Sequence, residues 1–557
     1  MEAYKNQSFA SVIPDVVAKF GNNAALSFVG ERPLTYAELG QAIQATIVFM
    51  EKLGLQPGDK AVIYSQNMPN WGVMYFAMQC MGVVAVPVLP DFNAFELENV
   101  LQHSESKAIF VSESLEYKLS EVKMDFVHTI VRLDSFEILE GDKSINYQPQ
   151  AKSSNTYHPN PDELSVLLYT SGTTGDSKGV MLSQKNIIYN AYQSGMVQPI
   201  EPSDKFLSVL PLSHTYENTI GLILPILNGA SVTYLRKPPT PSVLLPALKL
   251  VKPEFMLTVP MIIEKVYRNS VLPQIKKKAI TRILHGFKPT RKLLYYLAGK
   301  KLYQTFGGHL KFFGIGGSKL DGVVEQFLRD AKFPYAIGYG LTETAPLLAG
   351  ANPQFTRFQA IGPKVVDCEV IINNPDPHTG EGEIWAKGPN VMLGYYKNEE
   401  RTREVLTEDG WFKTGDLGVF DKDGWLSHKG RLKNMIVGSN GENIYPEEIE
   451  SVINNFRHVV ESIVVEKKGK LVAMVHFNRE ELEQKVREMR ADFSQKVDDK
   501  FEELSKKVDV VIEDLSRELQ HYVNTRVNKV SRIQMLIPYP EPFQKTATKK
   551  IKRYLYF

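Results

Sequence analysis

Only two cysteines, Cys80 and Cys368, occur in this 557-residue chain. They lie far apart, in no CxxC pair and at no metal-ligand spacing, which excludes a disulfide framework and a cysteine-held metal site. Buried free thiols in a reducing cytoplasm are the expectation. An excess of either charge is missing too, with 65 Lys and Arg against 63 Asp and Glu. That balance removes any whole-chain case for a nucleic-acid partner and leaves basic surfaces to be local. Long apolar runs are absent. Met81 to Leu89 and Ile220 to Leu227 are interrupted by proline and fall well short of the roughly 20 residues that a spanning helix needs. The start, MEAYKNQSFASVIPDVVAKFG, lacks the basic-then-apolar pattern of a secretory signal. Neither secretion nor membrane insertion is expected; a cytoplasmic location is.

Glycine and proline are both absent between Gly469 and Pro538. Within that stretch Leu482, Val486, Met489, Phe493, Val497, Phe501, Leu504, Val508, Val511 and Leu515 recur at spacings of three or four, with charged residues on the other faces. This predicts one or two long amphipathic helices over about 479–528, packed on the protein itself. The spacings drift from a strict heptad, which makes a coiled-coil dimer the lesser alternative and leaves oligomeric state open.

At 43% apolar residues the chain has material for more than one core. From about residue 60 to 400, short runs such as AVIY, GVVAVPV, KAIFVS, ASVTYL and EFMLTV alternate with helix-like segments, the pattern of an α/β architecture with mainly parallel sheets. Gly380 to Tyr395 and Gly418 to Gly430 read as short strands with Asp-Gly turns, hence a small β-rich subdomain. From Lys433 a smaller α+β unit follows, with a helix starting near Pro446 and strands at Val459 to Glu466 and Lys470 to Phe477. The expected division is 1–432 and 433–557.

The richest stretch is Tyr169 to Gly179, YTSGTTGDSKG. Its glycines let backbone N–H groups converge on an anion, the hydroxyls of Thr170, Ser171, Thr173 and Thr174 donate to its oxygens, and Lys178 supplies charge. It is no Walker A loop, because Lys178 follows Ser177 and precedes Gly179. The competing reading is a flexible Ser/Thr/Gly connection.

Further segments appear with it in order: PLSHTYE (Pro211 to Glu217), GYGLTET (Gly338 to Thr344), WFKTGDLG (Trp411 to Gly418), GRLKNMIVGSNGENIYPEEIE (Gly430 to Glu450) and KTATKKIKR (Lys545 to Arg553). With LTYAEL near residue 35 they cover essentially the whole chain, which thereby resembles the adenylate-forming, AMP-binding ligase superfamily. The resemblance implies attack of a carboxylate on the α-phosphate of ATP with release of pyrophosphate, then thiol attack on the acyl-adenylate. It implies ATP and Mg²⁺, coenzyme A as co-substrate, and a mobile lid.

By that resemblance, Thr170, Ser171, Gly172, Thr173, Thr174, Gly175 and Lys178 embrace the phosphates, and Glu343 with the Thr170 hydroxyl ligates Mg²⁺, a hard cation that suits oxygen donors. Gly338 and Gly340 are expected to leave room for adenine beside the Tyr339 ring, next to Thr342. Asp416 would accept the ribose hydroxyls and Arg431 reach ribose or phosphate. Gly316, Gly317 and Ser318 would floor the adenine and acyl sites, and His214 would stand near the acyl carbonyl. Lys433 occupies the lid's hinge position, Gly441 would line the thiol channel, and Lys550 would bridge carboxylate and α-phosphate. Two departures are Lys549, where the family has glycine, and Asp176-Ser177, where many relatives have proline.

LPLSHTYE, the KKIKR ending and the helical insertion resemble the long-chain fatty acyl-CoA branch. Alternatives are an acyl-acyl-carrier-protein ligase and a catalytically silent acyl or nucleotide binder. Lys276 to Lys301 combines many cations with Leu, Ile, Phe and Tyr. A peripheral membrane patch, at the inner membrane surface, is one reading. An ordinary basic helical pair with a buried apolar face is preferred, because Gly286, Pro289 and Gly299 break the run.

Overall fold

The computed structural model describes residues 1–124, 127–171, 177–437, 443–467, 469–491, 501–546 and 550–557. The β-branched runs become central strands because both faces of their sheets are covered, which favours continuous apolar sequence over alternation. One eight-stranded sheet runs Gly394–Tyr395, Ser177–Ser183, Leu164–Ser171, Val84–Val88, Lys60–Tyr64, Ala108–Val111, Thr129–Arg132, Glu137–Glu140 from edge to edge. Its centre is parallel and its edge pairings antiparallel. The other runs Leu347–Gly350, Tyr335–Gly340, Phe312–Ile315, Phe255–Thr258, Lys205–Ser208, Ser231–Tyr234, Ala24–Phe28, Leu34–Thr35, again parallel in its middle.

The helix Pro69–Met81 is buried from Trp71 to Met81. A helix apolar all round belongs inside a core, and here the Trp71 and Tyr75 rings stack 5.3 Å apart within the largest apolar cluster. The small β-rich region is a four-stranded antiparallel sheet of Glu369–Asn373, Gly382–Lys387, Phe412–Phe420 and Leu426–Arg431. Its last two strands turn at Asp421 to Gly424, closed by Gly424 N–H donating to Asp421 O at 3.0 Å with Gly424 at φ 77°.

After the short hairpin Ile436–Val437 with Asn443–Ile444, the carboxyl-terminal unit builds its own core. The helix Pro446–Asn454 and the three-stranded sheet Val459–Lys467, Lys470–Phe477, Met535–Pro538 share it with two further helices, Arg479–Ala491 and Phe501–Asn524. Leu482, Val486, Val508, Leu515, Leu519 and Val523 all point into this core. The described part of the periodic stripe thus packs inside the unit; of the rest, Phe493 and Val497 lie outside the described residues, and Met489, Phe501 and Leu504 are described only in their backbone.

This unit is docked on the rest. Arg268 donates to Asn454 O at 2.6 Å and Asn455 Oδ1 at 2.9 Å, Asn455 Nδ2 donates to Asp321 Oδ2, and Lys319 pairs with Glu448 at 3.3 Å. The docking sets where the last segment of the chain falls. Thr546 N–H donates to Lys550 O at 2.8 Å, and Lys545 pairs with Glu461, which pins a loop that carries Lys550.

Candidate active site

Thr170 and Lys178 are register partners across the hairpin of Leu164–Ser171 and Ser177–Ser183. Gly172, Thr173, Thr174 and Gly175 lie outside the described residues, and Ser171 is described only in its backbone. Lys178 stands 5.3 Å from the centroid of the Tyr395 ring, a cation–π contact. Burial, with the charge of Arg401 adding to it, lowers its pKa from the usual lysine value, against the opposing pull of Glu343 and Glu404.

Glu343 sits in the single 3-10 turn Thr342–Thr344, directly after the strand Tyr335–Gly340. Met392 N–H donates to its carbonyl at 2.9 Å, and the Tyr395 hydroxyl donates to Oε1 at 2.9 Å. Tyr395 therefore holds both the acidic and the basic partner of the site. Sequence reasoning missed it, and a tyrosine in Gly-Tyr-Tyr carries no local signal for this role. Among the described residues no cluster of three acidic, His or Cys side chains could hold a metal by itself. One carboxylate beside a phosphate-binding hairpin nonetheless fits Mg²⁺, which keeps several waters and uses one or two carboxylates together with substrate phosphates. Glu343 and Thr170 would be the protein oxygens that hold it.

The glycines of GYG pack closely against the turn that follows them. A Cβ on Gly340 would fall 1.8 Å from the Pro346 carbonyl oxygen, and one on Gly338 would meet Leu347 at 3.1 Å. Tyr339 between them is buried, its ring tilts against His428 at 5.7 Å, and its hydroxyl donates to Asp416 Oδ2 at 2.9 Å.

Asp416 is not in a turn. It lies within Phe412–Phe420, paired in register with Arg431 of the next strand. Its Oδ1 is 2.7 Å from Arg431 Nε and 3.7 Å from His428 Nε2, yet accepts no aligned hydrogen bond although fully buried. Burial alone would raise this carboxyl; His428, the Arg431 charge and the Tyr339 hydroxyl outweigh it and hold the group below the usual Asp range. The result is an ionised carboxylate paired with Arg431, of the two-oxygen acceptor type that suits a hydroxyl donor such as a ribose diol.

Lys550 reaches the same cleft from the docked unit. Its side chain is exposed to solvent, and desolvation by the surrounding protein together with the charge of Arg431 lowers its pKa, opposed by Asp416 and Glu343. Lys433, in the 3-10 turn Leu432–Asn434, is pushed down to about 8 by burial and by Arg431, Lys178 and Lys550. Four cations, Lys178, Arg431, Lys433 and Lys550, thus converge from three segments, a strong field for a polyanion. Gly441 lies outside the described residues.

His214 accepts from the Tyr216 N–H through Nδ1 at 3.2 Å, which puts its proton on Nε2. Burial and the nearby Lys550 push it down to about 4, so the ring is a neutral donor. Beyond it Tyr216 enters a narrow apolar cavity of about 40 Å³ with Phe206, Phe255, Phe312, Ile220 and Leu347. Gly314 and Gly316, on one face of the strand end by the two-residue period, make room for that ring: their Cβ atoms would meet Tyr216 at 2.7 and 3.1 Å. Gly317, at φ 87°, and Ser318 are exposed at the mouth.

The chain is 29% identical over 496 residues to "Long chain acyl-CoA synthetase 7, peroxisomal" of Arabidopsis thaliana, covering 81% of this chain and 69% of that one. It is 27% identical to "Long-chain-fatty-acid--CoA ligase FadD15" of Mycobacterium bovis, covering 84% of each. In fold it is similar to O-succinylbenzoate coenzyme A synthetase of Bacillus subtilis in complex with AMP, with a TM-score of 0.75 at 22% identity over 98% of this chain and 97% of the other. That synthetase is also known in complex with ATP and magnesium ion. A family model described as AMP-binding enzyme matches residues 13–396, well over half of the sequence, and the chain belongs to that family of adenylate-forming ligases.

Proposed function

We propose that this protein is an ATP-dependent acyl-CoA ligase acting on a long-chain fatty acid. The observation that carries the reading is Lys550, brought from the far end of the chain into the field of Glu343, Asp416, Arg431 and His214. A carboxylate and a triphosphate repel one another, and cations fixed between them lower that repulsion as charge develops.

In the first step a carboxylate oxygen bonds to the α-phosphorus and the bond to pyrophosphate breaks. Asp416 holds the ribose, Arg431 and Lys178 hold phosphate oxygens, Lys550 spans carboxylate and α-phosphate, and His214 orients the acyl carboxylate through Nε2–H. Mg²⁺, held by Glu343 and Thr170, supplies further charge neutralisation at the phosphates when bound. In the second step a thiol sulfur bonds to the carbonyl carbon, the thiol proton leaves and AMP departs. The roles of Lys433 as hinge, between units 1–432 and 433–557, and of Gly441 beside the thiol belong to this step. The apolar cavity past Tyr216 marks the entry for the acyl chain and would have to widen beyond its present volume of about 40 Å³ to hold a long one, each buried CH₂ contributing about 0.8 kcal/mol.

A second acceptor has one point in its favour. The chain is 28% identical over 572 residues to "Long-chain-fatty-acid--[acyl-carrier-protein] ligase AEE15, chloroplastic" of Arabidopsis thaliana. One experiment separates the readings: AMP release by purified protein with ATP and Mg²⁺ over saturated acids from acetate to stearate, with CoA and then with a phosphopantetheinylated carrier protein. A maximum at the palmitate end with CoA supports the proposal. Turnover only with the carrier supports the second acceptor, and a maximum at short acids removes the long-chain reading.

A further inference from the structure

Of the helices Ala279–His285 and Lys288–Thr305, the second has the expected buried face, with Tyr295, Gly299 and Leu302, and the first does not. The first has no buried residue, and Ile280, Ile283 and Phe287 are 72%, 64% and 63% exposed. Leu293, Tyr296 and Leu297 of the second are exposed as well. The face that does pack is already used. Tyr295 bonds to the Tyr267 hydroxyl at 2.7 Å, and Gly299 lies so close to Ala331 that a Cβ would fall 2.3 Å from its methyl. The outward stripe Lys292, Leu293, Tyr296, Leu297, Lys300 and Lys301 follows the helical three- and four-residue spacing, so it is one face.

The charge on this face is of one sign. Between Glu264 and Asp321 the chain has thirteen Lys and Arg and no Asp or Glu, although the whole protein is nearly neutral. Among the described residues, none of the cations from Lys276 to Lys301 has a carboxylate within ion-pair distance. No helix of the described residues is long and apolar enough to cross a membrane.

We propose that this face, Lys276 to Lys301, docks on an anionic lipid surface. Ile280, Ile283, Phe287, Leu293 and Leu297 enter the headgroup boundary, and the lysines reach outward along their aliphatic stems to the phosphates. Short helices with apolar side chains ringed by unpaired cations match a negatively charged, laterally fluid surface. A folded partner would have to supply matching carboxylates and a fitted apolar pocket. The inference does not depend on which acid or acceptor the enzyme uses.

The test is sedimentation of the full chain with phosphatidylcholine vesicles and with vesicles containing about a quarter phosphatidylglycerol. Wild type should pellet with the anionic vesicles only and be released by high salt. Lys276→Gln/Lys277→Gln/Lys278→Gln, Ile280→Ser/Ile283→Ser and the single variant Phe287→Ser should each lower the bound-to-free ratio, the triple variant by about ten-fold or more. ATP–pyrophosphate exchange by the same variants, unchanged from wild type, shows that they are folded. Equal binding of variants and wild type overturns the proposal, as does wild type that ignores lipid charge. A lipid-independent dimer lost in Phe287→Ser, with no vesicle binding, also overturns it and assigns the face to a second copy of the chain.

Discussion

The hydroxyl of Tyr395 donates to Glu343 Oε1 at 2.9 Å while its ring lies 5.3 Å from the Lys178 ammonium. Tyr395 is held by the antiparallel pairing of Gly394–Tyr395 with Met181 and Val180, two residues beyond Lys178. One side chain therefore touches both the acidic and the basic arm of the proposed phosphate site. Tyr395→Phe keeps the ring and removes the hydroxyl. It should lower kcat for adenylate formation roughly ten-fold and raise the Mg²⁺ concentration needed for half-maximal rate, with little change in the thermal midpoint. A magnesium titration of pyrophosphate exchange checks this; an unchanged magnesium dependence contradicts it.

Gly314 lines the apolar cavity proposed for the acyl chain, where a Cβ would already collide with Phe312 at 2.7 Å, the Tyr216 hydroxyl at 2.7 Å and Leu257 at 2.9 Å. Gly314→Val should lower kcat/KM for the longest accepted acids by roughly ten-fold or more relative to the shortest. The ratio across an acid series is the readout, and parallel losses at all lengths would show that the change is merely structural.

Lys433 has a pKa pushed down to about 8, so in the free protein it is largely neutral above that pH. A bound polyphosphate favours its charged form. Binding above pH 8 should therefore take up a proton, and affinity should weaken as pH rises from about 8 toward the ordinary lysine value of about 10.4. In the free protein the unfolded chain binds the extra proton across that window, so this residue makes stability rise with pH there. Calorimetry of pyrophosphate binding in two buffers of different ionisation enthalpy measures the uptake, and Lys433→Gln should reduce it, the remainder coming from Lys178 and Lys550.

Arg268 clasps Asn454 and Asn455, at the end of the helix that docks the carboxyl-terminal unit. Arg268→Ala should weaken this arrangement, slowing adenylate formation about ten-fold while leaving thioester formation from supplied acyl-adenylate unimpaired. Equal losses in both halves would place Arg268 in general stability instead.

Much of this was legible in the chain itself. The apolar runs marked the sheet strands, Pro446 marked a helix start, and the ordered motifs named Lys178, Glu343, Asp416, Arg431 and Lys550 before any geometry joined them. What sequence could not show depends on contacts between distant segments. Tyr395 reaches Lys178 only because its strand pairs beside it, and the Pro346 carbonyl occupies the space a side chain at Gly340 would need, a contact no local pattern announces. The helical period near Ile280 reveals an apolar face but not whether anything covers it; the covered face of that region is the one with Tyr295 and Gly299.

The central claim is that Lys550 serves the adenylation half alone, from a loop that the docked unit carries into the cleft. Lys550→Ala should be measured in two assays on the same preparation: ATP–pyrophosphate exchange with palmitate, and acyl-CoA formation from supplied palmitoyl-adenylate. The account predicts a loss of about 10²- to 10³-fold in the first and a nearly unchanged rate in the second. Equal losses in both, or full exchange activity, would contradict it.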